Sequence, residues 1–184
     1  MKHDDQNPWK PLGEKPIYDN AWISLIEHQV INPSGNEGIY GVVHYKNIAI
    51  GIIPIDEDGY TWLVGQYRYP LKAYSWEIIE GGGFLGVDPL DSAKRELKEE
   101  TGMAAEHWEL ILPKMHLSNS VSDEYAMIYV AKGLTKGVAE PTETEVLTLK
   151  RVSLQDALEM VLSGEITDSL SVAGLLMAKQ KGLL

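Results

Sequence analysis

Apolar and β-branched positions alternate from Ile17 to Ile31, the period of a strand with one face covered. Turn residues fill Asn32 to Gly38, and a second alternating stretch runs from Ile39 to Tyr45, so the pattern predicts a long hairpin. Ile48 to Ile55 is apolar almost throughout, Asp56 to Gly59 turns the chain, and Tyr60 to Tyr67 is expected as the antiparallel return strand of a second hairpin. A short strand at Tyr74 to Ile79 precedes the glycine run Gly81 to Gly83. Further strands are expected at Trp108 to Leu117, Tyr125 to Ala131 and Val146 to Val152, with loops at Ser118 to Glu124 and Lys132 to Glu145.

Three segments carry helical signals. Asp88 is a good N-cap, Pro89 suits the first helical position, Asp91 favours the positive end of the helix dipole, and Gly102 follows where the helix should stop. Leu154 to Leu162 and Ser169 to Lys179 form two later helices broken at Ser163-Gly164. The order of elements predicts an α+β fold with a mixed sheet between helices, preceded by a small β-hairpin unit. The expected boundary divides residues 1–46 from residues 47–184.

Composition narrows the function classes. The 184 residues suit one ordinary domain with a small appendage, and 44% hydrophobic with 23% charged residues is the make-up of a globular protein. Sixteen Lys and Arg against 27 Asp and Glu give a net charge of −11, a field that repels nucleic acid and anionic lipid, so neither is an expected partner. With no cysteine, a thiolate nucleophile and a Cys-ligated zinc are excluded. Met1 to Pro11 lacks the apolar core of a signal peptide and no apolar run approaches a membrane span, so a cytoplasmic location is expected.

The helix after Asp88 carries the candidate chemistry. Leu90, Ala93 and Leu97 share one stripe, and Glu96 and Glu100 lie one turn apart, about 40° from each other around the axis, at its border. With Glu99 beside them, three carboxylates gather where the helix leaves the core. Like charges so spaced cost a helix a few tenths of a kcal/mol per pair unless a cation lies between them. Hard oxygen donors suit Mg²⁺ or Mn²⁺ and hence phosphate chemistry, whereas an acidic, solvated helix face is the alternative reading of the same residues.

The surrounding motif decides between them. Residues Gly81 to Met103, GGGFLGVDPLDSAKRELKEETGM, resemble the Nudix box, G-x5-E-x7-R-E-U-x-E-E-x-G-U with U aliphatic: Gly81, Arg95, Glu96, Leu97, Glu99, Glu100, Gly102 and Met103 fall at the required offsets. Val87 stands where the first glutamate is expected. Upstream, Gln66-Tyr67-Arg68 and Trp76-Glu77-Ile78-Ile79-Glu80-Gly81 are similar to the Q-x-R strand and W-E-L-P-A-G lead of the ADP-ribose and nucleoside-diphosphate-sugar pyrophosphatase branch. Leu154 to Ser169 is similar to its closing helix and S-G-E-I turn.

That resemblance implies a Nudix-type α/β/α sandwich preceded by a β-hairpin domain for dimerisation and base binding, often exchanged across a homodimer. It implies hydrolysis of a nucleotide-sugar substrate of the ADP-ribose or GDP-mannose type. Metal ligands would be Glu96, Glu99, Glu100 and the carbonyl of Glu80, with Arg95 orienting a box glutamate. The base would be a glutamate on the loop before the last strand, Glu143 first and Glu140 second. Arg68 is the best candidate for gripping phosphate, with a surface salt bridge as the alternative. Trp22, Tyr18 and Trp76 could stack on a base, although a single aromatic is more often core or interface. His44 and His116 are expected to be structural. Two other classes stay open: a nucleotide-binding regulator without hydrolysis, and a triphosphate pyrophosphatase.

Overall fold

The computed structural model describes residues 6–139 and 146–183, in two compact units. The first, Met1–Lys46 with His116–Glu124, holds strands β1 (Lys10–Asp19), β2 (Ile23–Ile31) and β3 (Glu37–Tyr45) in one antiparallel sheet of order β1-β2-β3. The stretch Ile17 to Ile31 is therefore two strands rather than one. Asn20 makes the reversal: its side-chain oxygen accepts the N–H groups of Trp22 and Ile23, both at 2.8 Å. No Gly or Pro marks that turn, and apolar residues flank it on both sides, so the alternation runs through it unbroken. The segment His116–Glu124 joins this unit by backbone pairing of Val43 with Val121 and Asp123. Asp123 accepts from His44 Nδ1 at 2.7 Å and from the Tyr45 N–H at 3.0 Å, which gives His44 a structural role.

The second unit, Asn47–Met115 with Tyr125–Leu184, contains two sheets and three helices among the described residues. Strands β4 (Asn47–Pro54), β5 (Tyr60–Arg68), β6 (Ala73–Glu77) and β7 (Ile79–Phe84) lead to helix α1 (Pro89–Thr101). Strands β8 (Met103–His116), β9 (Tyr125–Lys136) and β10 (Thr148–Ser153) and helices α2 (Leu154–Leu162) and α3 (Ser169–Gln180) follow. The larger sheet has the order β7-β4-β9-β8, with β4 antiparallel to β7 and parallel to β9; the smaller, β10-β5-β6, is antiparallel. No helix among the described residues is long and apolar enough to cross a membrane.

The expected second hairpin does not form, because β4 and β5 enter different sheets. The turn itself is present, with Asp56 Oδ1 accepting from Asp58 and Tyr60, but β4 is apolar on both faces and takes a partner on each edge. Ile48, Ile50 and Ile52 pack with Ala93 and Leu97 of α1, whereas Gly51 and Ile53 lie close to Leu170 and Gly174 of α3. Burying a side chain such as Leu97, wholly inaccessible here, contributes roughly 1.5–3 kcal/mol. The glycine run is likewise strand and not loop: Gly81, Gly82 and Gly83 pair with Ile50, Ala49 and Ile48. Strand β8 starts directly after Gly102, earlier than expected, since Ala104, Ala105 and Glu106 carry little strand signal. Helix α1 keeps its anticipated ends, with Asp88 accepting from the Leu90 N–H at 2.9 Å and Gly102 at φ 71° closing it.

Candidate active site

Strand β7 and helix α1 place the acidic residues. Leu97 anchors α1 against the sheet, and Glu96 and Glu100 on the same side are themselves buried, at 9% and 6% exposure. Gly81 lies opposite Glu96 so closely that a Cβ there would overlap the Glu96 carboxyl group. The Gly82 N–H donates to Glu96 Oε1 at 3.1 Å. Arg95 ties the group together, donating from Nη2 to Glu96 Oε1 and the Gly82 carbonyl and from Nη1 to Glu99 Oε2, all at 2.7 Å. The Phe84 ring lies 5.7 Å from the guanidinium. Val87 is 45% exposed, and the Gly82 carbonyl supplies an anchor for Arg95 that does not involve that position.

Burial pushes the Glu96 carboxyl above the usual carboxylate range and Glu99 adds to this, while Arg95 and the Gly82 N–H work the other way. Three carboxylates against one guanidinium leave excess negative charge in a partly desolvated place. Among the described residues no three acidic or His side chains already converge as a metal cage. Arg95 instead occupies an oxygen of both Glu96 and Glu99. The donor chemistry nonetheless fits a hard divalent cation that completes its shell with backbone oxygen and water. Glu96, Glu99 and Glu100 would hold it, with the Glu80 carbonyl on the adjoining strand.

The Glu80 side chain enters a different cluster. Ser171 Oγ donates to Glu80 Oε1 at 3.1 Å and accepts the Ile78 N–H at 2.9 Å, while Asp168, the N-cap of α3, accepts the Ser171 N–H at 2.8 Å. Burial pushes the Glu80 carboxyl well above the usual range, and its hydrogen bond with Asp168 reinforces this. Burial also opposes ionisation of Asp168, yet hydrogen bonds from Glu80 and Ser171, with Arg68 nearby, hold it below its ordinary value. The two carboxyls are thus pushed in opposite directions, Glu80 toward its neutral form and Asp168 toward its ionised one. A carboxyl raised in the folded state contributes stability that is fully present below its unfolded value and is lost as pH rises through the folded one. Glu80→Gln, which keeps a donor toward Asp168, is therefore expected to raise Tm at pH 8 more than at pH 5; an equal shift at both, measured by thermal denaturation, contradicts the upward push on the Glu80 carboxyl.

Arg68 directs its fork at Glu77, with Nε donating at 2.9 and 3.1 Å and Nη2 at 2.5 Å. Glu77 is 2% exposed, so the partner is a buried carboxylate rather than a surface one. Trp22 and Tyr18 are both exposed, in the first unit. Glu140 and Glu143 lie outside the described residues. The chain leading to them starts with Gly137, whose N–H donates to the Gly102 carbonyl at the end of α1 at 2.7 Å. Ser75, Asp168 and Ser171 were not singled out from sequence as site residues. Asp168 caps α3 in the structure, and its approach to Glu80 across 88 positions left no local trace in the sequence.

Strand β7 with its glycines leads into the acid-bearing helix α1, and the family matches mark the chain as a pyrophosphohydrolase. The chain belongs to the NUDIX domain family, which it matches over residues 45–169, and residues 9–43 match the nucleoside diphosphate sugar hydrolase N-terminal domain. It is 30% identical over 174 residues to an ADP-ribose pyrophosphatase of Mycobacterium tuberculosis, covering 93% of this chain and 83% of that protein. A methanol dehydrogenase activator of Bacillus methanolicus is 32% identical over 165 residues, covering 89% and 88%. An ADP-ribose pyrophosphatase of Bacillus subtilis is 29% identical over 162 residues, covering 87% and 86%. In fold, the chain superposes on a crystal structure of an ADP compounds hydrolase with a TM-score of 0.86 over 98% of each chain, at 21% identity.

Proposed function

We propose that this protein hydrolyses the diphosphate linkage of nucleoside diphosphate sugars, of the ADP-ribose or GDP-mannose type, with Mg²⁺ (or Mn²⁺) as cofactor. Water adds to one phosphorus, the P–O–P bridge breaks, and a nucleoside monophosphate and a sugar phosphate leave. The observation that carries this is the group Gly82, Arg95, Glu96 and Glu99, held by hydrogen bonds of 2.7–3.1 Å in a chain that also matches the sugar hydrolase N-terminal domain. When bound at Glu96, Glu99 and Glu100, the cation supplies charge neutralisation for the diphosphate.

The chain's own residues do the rest. Arg95 fixes the Glu96 and Glu99 carboxylates in one orientation, a two-pronged geometry that Lys cannot reproduce. Glu143, or failing it Glu140, takes the proton of the attacking water. Arg68, steadied by Glu77, faces the phosphates, and Trp22 and Tyr18 offer stacking surfaces for the base in a homodimer. The test is a screen of ADP-ribose, GDP-mannose, UDP-glucose and ATP with Mg²⁺, products resolved by chromatography. AMP with ribose 5-phosphate, or GMP with mannose 1-phosphate, is expected; pyrophosphate from ATP alone, or no hydrolysis, contradicts the reading.

A further inference from the structure

Two cavities meet at Arg68. One, of about 230 Å³, is bounded by Gln66, Arg68, Glu80 and Gly81, so it borders the glycine that makes room for Glu96. The other, of about 350 Å³, lies between the β5–β6 hairpin and the start of α3 and is bounded by Arg68, Leu71, Ser75, Glu77, Thr167 and Asp168. Resting on the proposed function, we infer that this second cavity is the subsite for the sugar ring of the substrate, and that it recognises the ring through its hydroxyl groups.

Charge sets the class of ligand. Glu77 and Asp168 contribute two carboxylates, and the one cation, Arg68, spends Nε and Nη2 on Glu77. The cavity is thus net negative and repels a further phosphate, while carboxylate oxygens accept readily from O–H donors. Ser75, 8% exposed, also lines the cavity, and its hydroxyl can both donate to and accept from a ring hydroxyl. The remaining wall includes Pro70 and Leu71, suited to the C–H face of a ring. No aromatic side chain lines the cavity among the described residues, which disfavours a nucleobase, a group held by stacking. The volume lies at the small end of ligand pockets, room for one sugar ring.

The assignment orders the substrate along the fold: diphosphate beside Gly81 and Arg68, sugar beyond Arg68 toward Asp168. The test compares ADP-ribose with the β-methyl ester of ADP, which offers the same anhydride without a sugar. Thr167→Trp and Leu71→Trp place bulk at two exposed positions on the cavity wall, and Asp168→Asn removes an acceptor charge while retaining an N-cap. The wild type is expected to prefer ADP-ribose in kcat/KM, and each Trp variant that retains the wild-type Tm to lose about tenfold or more of that preference, chiefly through KM. Asp168→Asn is expected to lose about threefold to tenfold. A preference that is absent in the wild type, or unchanged in all three variants, overturns the subsite while leaving the hydrolytic reading intact. Failure of the wild type to cleave either compound overturns the subsite, and failure on GDP-mannose as well overturns the hydrolytic reading itself.

Discussion

Glu100→Gln is expected to lower kcat by about 10²–10³-fold, the range seen when one preorganised electrostatic contact is removed from an active site. Glu100 sits one turn beyond Glu96, 6% exposed, in the last turn of α1 on the same side as Ala93 and Leu97. Glutamine fills the same space without the negative charge that a hard cation requires. Stability should not fall, because the substitution removes one of three like charges gathered on a short arc of helix. Steady-state kinetics at saturating substrate and Mg²⁺, paired with thermal denaturation, separates the two effects: a large loss of turnover at an undiminished Tm is the expected result. Unchanged turnover contradicts the ligand role of Glu100.

Gly81→Ala is the second large effect, and it acts through shape alone. Gly81 is not among the glycines with positive φ, so alanine meets no backbone strain there. The added methyl group instead overlaps the Glu96 carboxyl, which Arg95 and the Gly82 N–H already hold from the other sides. Either Glu96 leaves its hydrogen bonds or β7 withdraws from α1. Overpacking of this kind costs about 1–3 kcal/mol, and a displacement of about 1 Å in a catalytic group costs on the order of 10²-fold in rate. Gly38→Ala is the control, since nothing lies within 4 Å of a Cβ at that position and its φ is not positive. Chemical denaturation and kcat should both change for Gly81→Ala and neither for Gly38→Ala. Equal behaviour of the two variants contradicts the close approach of Gly81 and Glu96.

What the sequence could disclose follows from how local each signal is. Helix α1 was legible because its caps, apolar stripe and acidic border all lie within one short segment, and the box offsets add a second, independent register. The glycines at 81–83 were visible as a run but not as a strand, because the feature that requires them is the side chain of Glu96 on another element. Turn chemistry at Asp56 marked where the chain reverses without saying which strand β4 would pair with; that depends on β7 and β9, brought in by packing on both faces. Across the β5–β6 hairpin, Arg68 and Glu77 were each noted, yet their mutual engagement appears only once the ladder is formed. The tie between Glu80 and α3 is more distant still, and the cavity beside it has no sequence signature at all.

Manganese or magnesium titrated calorimetrically into the protein, with a nucleotide present, bears most directly on whether the carboxylates of α1 serve a cation. The wild type is expected to show saturable uptake that Glu96→Gln and Glu100→Gln weaken by tenfold or more, about 1.4 kcal/mol of binding free energy per tenfold change. No uptake by the wild type, or uptake indifferent to both substitutions, would contradict the account.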